Sequence, residues 1–255
     1  MSDLRISVDA GGILDRQFGE LERAQVPFAL MQACNATAFE VREAWKRKAP
    51  QVFDRPTPMT VNAAMYRKAT KDRLYAEIFL RDEAFKGTPP SKYLLAEVAG
   101  GQRRVKGFEA LLQAKGLMPR GEFAVTGRGA ATDQYGNVRG SQITAILSQL
   151  SAQRDAYQNQ SDVSAKRRRA KRKRGGNYFV VMKKRGRLRP GIYERIDTGF
   201  GSAVRSIFVF TRRATYRPRY DIFGLAQRTW EKLMPFYFER EMVKAMQSAM
   251  ARGGE

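Results

Sequence analysis

Residues 62–80 read NAAMYRKATKDRLYAEIFL, two alternating segments around a short polar stretch. Alternate positions from Leu74 to Leu80 are aliphatic, and the positions between them form a second face, as in a strand with one side buried. The pattern predicts a β-hairpin with strands over residues 62–69 and 73–80 and a turn at residues 70–72. This hairpin is the centre from which we assign the elements on either side.

Helices are predicted on both sides of the hairpin. Upstream, apolar residues recur every three or four positions from Phe28 to Trp45, which marks one buried helix face. We expect this helix to begin near Pro27, because proline suits a first turn, and to end at Ala49 and Pro50. Downstream, a long helix is predicted over residues 222–250, with a kink or break at Pro235. A short strand is expected at residues 4–8.

The segment between these elements contains two short helices, a loop and three strands. The helices are predicted over residues 105–115 and 141–152. The stretch 116–140 is rich in Gly, Pro and small polar residues and is predicted to be a long loop. Loops of this length are uncommon in compact domains, so we interpret 117–140 as an assembly loop, with a plain surface loop as the alternative. Strands are predicted over residues 178–182, 191–196 and 204–211.

The order of these elements predicts an α+β fold. We expect an antiparallel sheet packed by an N-terminal and a long C-terminal helix, with a helical and loop insertion and a basic arm. In this interpretation residues 1–82 and 177–255 together form one α+β core domain. Residues 83–160 are the insertion, with two short helices and a long loop, and residues 161–176 are a flexible basic arm.

Positive charge is concentrated in the second half of the chain. Residues 166–174 read KRRRAKRKR, with eight cations in nine positions. From Val163 to Tyr220 there are 19 Lys or Arg against two acids, Glu194 and Asp197, which is +17 of the formal net charge of +22. Because so many like charges repel one another, we expect a polyanion to bind them. A solvated tail or a localisation signal is the alternative.

The candidate site is a surface that binds nucleic acid or an acidic partner without reading bases. The cations near residues 212–219 alternate with Tyr216 and Tyr220, so they could hold phosphates and stack on bases or anchor the last helix. The candidate contact residues, in three segments, are Lys166, Arg167, Arg168, Arg169, Lys171, Arg172, Lys173 and Arg174; Lys183, Lys184, Arg185, Arg187 and Arg189; and Arg212, Arg213, Arg217 and Arg219.

Residue types that are missing from the sequence limit its chemistry. The chain has no histidine and one cysteine, which excludes histidine-dependent triads, HNH-type nuclease centres and thiolate metal sites. There is no GxxxxGK[ST] loop, and the acids are scattered. We therefore predict no catalytic residue, no metal, no cofactor and no enzymatic activity. Cys34 is expected to be a buried small hydrophobe in a reducing compartment. Neither a transmembrane helix nor a signal peptide is expected.

Three motifs resemble a family of tailed-phage virion assembly proteins. They are RPTPMTVNAAMYRKATKDRLYAEIFL at residues 55–80, YLLAEVAGGQRRVKGFEALLQAKGLMPRG at 93–121 and DQYGNVRGSQITAILSQL at 133–150. The later GIYER and IFVFTRRATYRPRYDIFGLA fit the same pattern. Over about residues 25–245 the chain resembles minor tail and tail-completion (neck) proteins similar to the lambda-type minor tail protein Z.

The resemblance implies a structural role without catalysis. A protein of this family would be made in the host bacterial cytoplasm and reside in the virion, at the head–tail junction. Its partners would be other neck or tail proteins, further copies of itself in a ring, and the phosphate backbone of the genome; no membrane is involved. Whether the basic arm meets DNA or an acidic protein wall stays open, as does the choice between tail completion and another neck role. The alternative function is sequence-independent DNA binding in the infected cell.

Overall fold

The computed structural model describes residues 5–8, 20–85, 87–161, 163–164, 166, 177–198 and 201–253. The chain divides into two compact units. The first unit comprises residues 1–101 and 217–255, and the second comprises residues 102–216. Both contain helices and antiparallel strands, so the predicted α+β class is confirmed.

The secondary-structure elements of the described residues run in this order along the chain. They are β1 (Arg5–Val8), α1 (Glu20–Val52), α2 (Pro58–Val61), β2 (Ala64–Arg67), β3 (Ala76–Leu80), α3 (Pro90–Ala99), β4 (Gly101–Gln102), α4 (Gly107–Ala114), β5 (Phe123–Thr126), α5 (Gly140–Gln149), β6 (Asn177–Val181), β7 (Gly191–Thr198), β8 (Gly201–Thr211), β9 (Thr215–Tyr216) and α6 (Ile222–Gly253). The two-residue strands β4 and β9 pair with each other.

The first unit is built around two long helices and a three-stranded sheet. The sheet has the order β1-β3-β2, so the predicted hairpin and N-terminal strand are both present. Helix α1 covers β2 and β3 and packs along α6. The Tyr220 hydroxyl donates to the Trp45 carbonyl at 2.9 Å, and the Thr37 hydroxyl lies 3.7 Å from Met234 Sδ. Trp45, late in α1, lies beside the start of α6, and Thr37, earlier in α1, lies beside Met234, which is later in α6. The two helices are therefore antiparallel.

The core of the first unit joins residues that are far apart in sequence. Cys34, Trp45, Ile78 and Met234 are almost completely buried in it. The expectations that Cys34 and Trp45 are core residues are therefore confirmed. The methionines near the C-terminal end of α6 differ in burial: Met242 is buried, whereas Met250 is 62% exposed.

The second unit is a four-stranded antiparallel sheet with the order β5-β8-β7-β6. Helices α4 and α5 supply Leu112 and Ile146 to a core that also holds Ile192 and Ile207 from the sheet. The register between β7 and β8 shifts at Ile192 and Tyr193. Such a bulge places one extra residue in β8 and increases the local twist of the sheet.

Several helix boundaries differ from those expected. Helix α1 begins at Glu20 and ends at Val52, so Pro27 and Pro50 lie inside it. Each proline removes one helical hydrogen bond, and packing along α6 and β2–β3 compensates for that loss. Helix α6 continues through Pro235 without interruption. Helix α3 was not predicted.

The predicted long loop contains regular structure. Strand β5 pairs with β8 from Phe123↔Thr211 to Thr126↔Phe208. Asp133 then accepts the N–H groups of Tyr135 and Asn137 and closes a tight turn. The prediction of one long loop over 116–140 is therefore wrong at Phe123–Thr126, where the strand is only four residues long and its partner β8 is distant in sequence.

The chain divides at different residues from those predicted. The expected core joined residues 177–211 to the two long helices, whereas strands β6 to β8 belong to the second unit. The physical reason is that β5, from the expected insertion, pairs with β8 and draws the later strands into one sheet with it. Helix α3, also from the expected insertion, belongs to the first unit.

Two neighbouring residues of α6 test the packing of the first unit. Met234 is 1% exposed and Phe236 is 58% exposed. We expect Met234→Ala to lower the free energy of unfolding by about 2–5 kcal/mol through cavity formation, and Phe236→Ala to change it by less than about 0.5 kcal/mol. Both tryptophans, Trp45 and Trp230, lie in this unit, so urea unfolding followed by their fluorescence measures it. Equal effects of the two substitutions would contradict the packing described.

Candidate polyanion-binding site

The second unit carries most of the net charge of the protein. Residues 102–216 contain 25 Lys or Arg against 7 Asp or Glu, which gives a net charge of +18 out of the total of +22. The remaining residues hold 22 Lys or Arg against 18 Asp or Glu, a net charge of +4. Charge is therefore segregated by folding unit, and the second unit is where a polyanion would bind.

The turn between β6 and β7 presents part of this charge, and we name residues 183–189 the hairpin tip. Arg185 and Leu188 exchange backbone hydrogen bonds at 2.9 and 3.0 Å, which closes a two-residue turn at Gly186 and Arg187. Gly186 has φ of +57°, a conformation that glycine adopts without a steric penalty. A tight turn of this kind directs the flanking side chains into solvent on both sides of the hairpin.

All five cations of the hairpin tip are exposed, and none forms an ion pair with a described residue. They are Lys183, Lys184, Arg185, Arg187 and Arg189. The tip also lacks carboxylates of its own. Its charge is therefore available to a ligand.

Arg212 and Arg213 lie at the same end of the sheet as the hairpin tip. Phe210 N–H donates to the Pro190 carbonyl at 2.9 Å, so the end of β8 runs beside the end of the turn. Arg212 Nε lies 3.3 Å from Glu122 Oε1, but the Arg212 side chain is 88% exposed, and such a pair contributes little free energy. The structure thus brings the second predicted segment and two residues of the third, Arg212 and Arg213, together at one sheet end.

The acids of the second unit are used in its own folding. Glu109 is fully buried and accepts hydrogen bonds from Arg103 and from the N–H groups of Lys106 and Ala124. Burial raises the pKa of Glu109, but the bond from Arg103 and the two backbone bonds outweigh it, so the pKa lies below its ordinary value. These bonds fix α4 to the first residues of β5.

A second buried acid pairs within the sheet. Arg205 donates to Glu194 at 2.6 Å across β7 and β8. The hydrogen bond to Glu194 raises the pKa of Arg205 further. Glu194 is one of the two acids between Val163 and Tyr220, and it is 1% exposed. Its charge offsets that of Arg205, whose side chain is 48% exposed.

The remaining predicted cations have different surroundings. Arg219 donates to both carboxylate oxygens of Glu97, and its guanidinium lies over the Phe53 ring. Tyr220 is buried, and burial raises the pKa of its hydroxyl to about 12. Both residues therefore anchor the start of α6, in agreement with that alternative. Arg217 is exposed and, like Arg219, belongs to the first unit.

Most of the basic run lies outside the described residues. Lys166 is described and exposed. The other predicted residues of this segment, which the structure does not describe, are Arg167, Arg168, Arg169, Lys171, Arg172, Lys173 and Arg174.

Sequence reasoning missed one aromatic pair in the sheet of the second unit, of which Tyr193 is buried. Phe179 and Tyr193 stack across β6 and β7 with ring centroids 5.8 Å apart, and the Arg195 guanidinium lies 5.4 Å from the Phe179 centroid. Phe179 and Tyr193 belong to neither hydrophobic core. The sequences of β6 and β7 each contain one of these aromatic residues, but only the pairing register shows that the two are neighbours.

Two further observations concern the described residues only. No group of three or more His, Cys, Asp or Glu side chains there is arranged to hold a metal ion. Neither long helix, nor any shorter one in the described ranges, has the apolar length that crossing a bilayer requires.

Comparisons with known proteins identify no relative. No family model, no curated protein and no solved structure matches this chain.

The Glu109 interactions can be tested by substitution. We expect Glu109→Ala to destabilise the second unit by about 3–5 kcal/mol, because it leaves Arg103 and two backbone N–H groups without their buried partner. Glu122→Ala removes only the exposed pair with Arg212 and should cost about 1 kcal/mol or less. Amide hydrogen exchange across α4 and β5 measures both effects. Similar protection in the two variants would show that the buried pair does not support the unit.

The low pKa of Glu109 also predicts a pH dependence. Its contribution to stability is complete above the ordinary carboxyl pKa of 4.5 and is lost as the pH falls through the lower pKa of the folded state. The difference in melting temperature between the wild type and Glu109→Gln should therefore shrink as the pH falls below 4.5. Scanning calorimetry at a series of pH values measures this difference, and one that stays constant would argue against the assignment.

Proposed function

We propose that this protein is a structural component of a tailed-phage particle, acting in tail completion or the neck at the head–tail junction. The observation that carries the proposal is the segregation of a +18 charge in the second unit, with seven cations gathered at one sheet end, of which the five of the hairpin tip have no ion pair with a described residue. A neck protein lies where the genome enters the tail, so a cationic unit there has a polyanion within reach. The other unit is free to pack against neighbouring ring proteins.

The positions of the motifs support a structural role. The GGQRRVKGFE motif supplies Arg103 and Glu109, which form the buried ion pair. The DQYGN motif supplies Asp133, which closes a turn that includes Gly136 at φ of +79°. These residues shape the fold, and their polar groups are directed into it. A sequence signature made of such residues suits a protein that works by its shape and charge.

A second candidate function rests on the same charge. A sequence-independent DNA-binding protein of the infected cell would also place its cations in one unit and leave them unpaired. Such a protein would bind duplex DNA in solution and would be absent from the finished particle. The two functions therefore differ in where the protein resides.

The deciding experiment is a cryo-electron microscopy reconstruction of the virion, combined with mass spectrometry of purified particles. We expect peptides of this chain in the particles and density for it at the head–tail junction, with the second unit facing DNA or an acidic ring. Tail tubes purified without heads are the control for location along the particle. Absence of the chain from purified particles would reject the structural role and favour the DNA-binding protein of the infected cell.

A further inference from the structure

We propose that the hairpin tip, together with Arg212 and Arg213, binds the phosphate backbone of double-stranded DNA as a site separate from the basic run at residues 166–174. The inference deepens the polyanion contact of the proposed function and rests on it for that contact alone. It holds whether the protein acts in the particle or in the infected cell.

The cations of the proposed site lie at one end of the four-stranded sheet. Strand β6 ends at Val181, β7 begins at Gly191, and these two residues pair. Gly191 also pairs with Val209 near the end of β8. The side chains that follow Val181, precede Gly191 and follow Thr211 therefore leave the sheet at the same end. These side chains include seven cations and are accompanied by one acid, Glu122.

The hairpin tip is separate from the basic run. The described chain re-enters the sheet at Asn177, which pairs with Arg195. This is the end of β6 opposite to the hairpin tip, at a distance of about 13 Å for four strand residues. The two cationic segments thus join β6 at opposite ends. Charge can be removed from one segment while the other stays unchanged.

The residue types of the tip indicate the chemistry of the ligand. The tip sequence KKRGRLR contains only cations, a glycine and Leu188. The cores of protein interfaces are depleted in lysine and rich in aromatic residues, whereas the tip has two lysines and no aromatic residue. It also has no Asn or Gln for reading base edges. Lysine and arginine alone match phosphate oxygens, and a two-stranded hairpin is narrow enough to enter the major groove of a duplex.

The cost of binding is low. The tip cations have no ion pair with a described residue, so a phosphate displaces no carboxylate from them. Arg212 would give up only an exposed pair with Glu122 at 3.3 Å, and such pairs are weak. Binding then releases counterions from the DNA and is opposed by salt.

The experiment compares three variants of the full chain, each lacking four cations. The tip variant carries Lys183→Gln, Lys184→Gln, Arg185→Gln and Arg187→Gln. The run variant carries Lys171→Gln, Arg172→Gln, Lys173→Gln and Arg174→Gln. The matched control carries Lys68→Gln, Lys71→Gln, Lys92→Gln and Lys232→Gln, which are exposed residues of the first unit. Circular dichroism and melting temperature establish that each variant is folded.

The readout is fluorescence anisotropy of short labelled duplexes of two unrelated sequences, titrated over a range of salt concentrations. We expect the tip variant to bind both duplexes about tenfold or more weakly, with a slope of log K against log salt less negative by about 3–4. The control should bind nearly as the wild type does. The run variant should retain the part of the slope that the tip supplies.

Two results would overturn the proposal. If the tip variant binds as the wild type does while the run variant loses binding, the basic run alone is the site. If polyglutamate competes for the tip as well as duplex DNA does at equal charge concentration, the tip recognises an acidic protein surface. Neither result bears on the virion location, which the reconstruction tests by itself. Conversely, DNA binding through the tip by a protein absent from particles would reject the structural role and leave this site intact.

Discussion

The packing of α1 against α6 is the interaction on which the remaining structure depends. The two helices are separated by about 170 residues of sequence, yet they bury one another's apolar faces around Trp45 and Met234. The chain must therefore leave the first unit after α3 and return to it before α6. Arg103 N–H donates to the Ala214 carbonyl at 3.1 Å, so the two ends of the second unit lie side by side. A unit with adjacent ends can be inserted into another without disturbing its core.

The second unit resolves a conflict between charge and folding. A net charge of +18 opposes compaction, and its few acids are placed where they contribute most. Glu109 and Glu194 each pair with one arginine and are buried, so the loss of either arginine would leave an uncompensated buried charge. The five cations of the hairpin tip are at the surface. The same allocation of acids that permits folding creates the surface that attracts a polyanion.

Residue patterns predicted well the parts of the fold that depend on local sequence. The hairpin follows from the alternation around Ile78, and α6 follows from its apolar repeat. The failures depend on distant contacts. Strand β5 is only four residues long and pairs with the distant β8, and α1 extends through Pro27 and Pro50 because α6 and the sheet support it. The candidate site was predicted as a set of cations, but its grouping was not. Only the strand register places Arg212 beside the hairpin tip, and only side-chain contacts assign Arg219 and Tyr220 to the anchor of α6.

The distance in sequence between α1 and α6 has a consequence for synthesis on the ribosome. When α1 emerges, its main partner has not yet been translated, and at cellular elongation rates the delay is roughly 10–35 seconds. Throughout this interval the face of α1 that includes Leu30, Val41 and Trp45 can be covered only by elements already translated, among them β2 and β3. The second unit is completed first, since all of its strands precede α6. The nascent chain is therefore a finished polycation attached to an unfinished apolar helix. In that state it is exposed both to nucleic acid and to chaperones before the first unit can close.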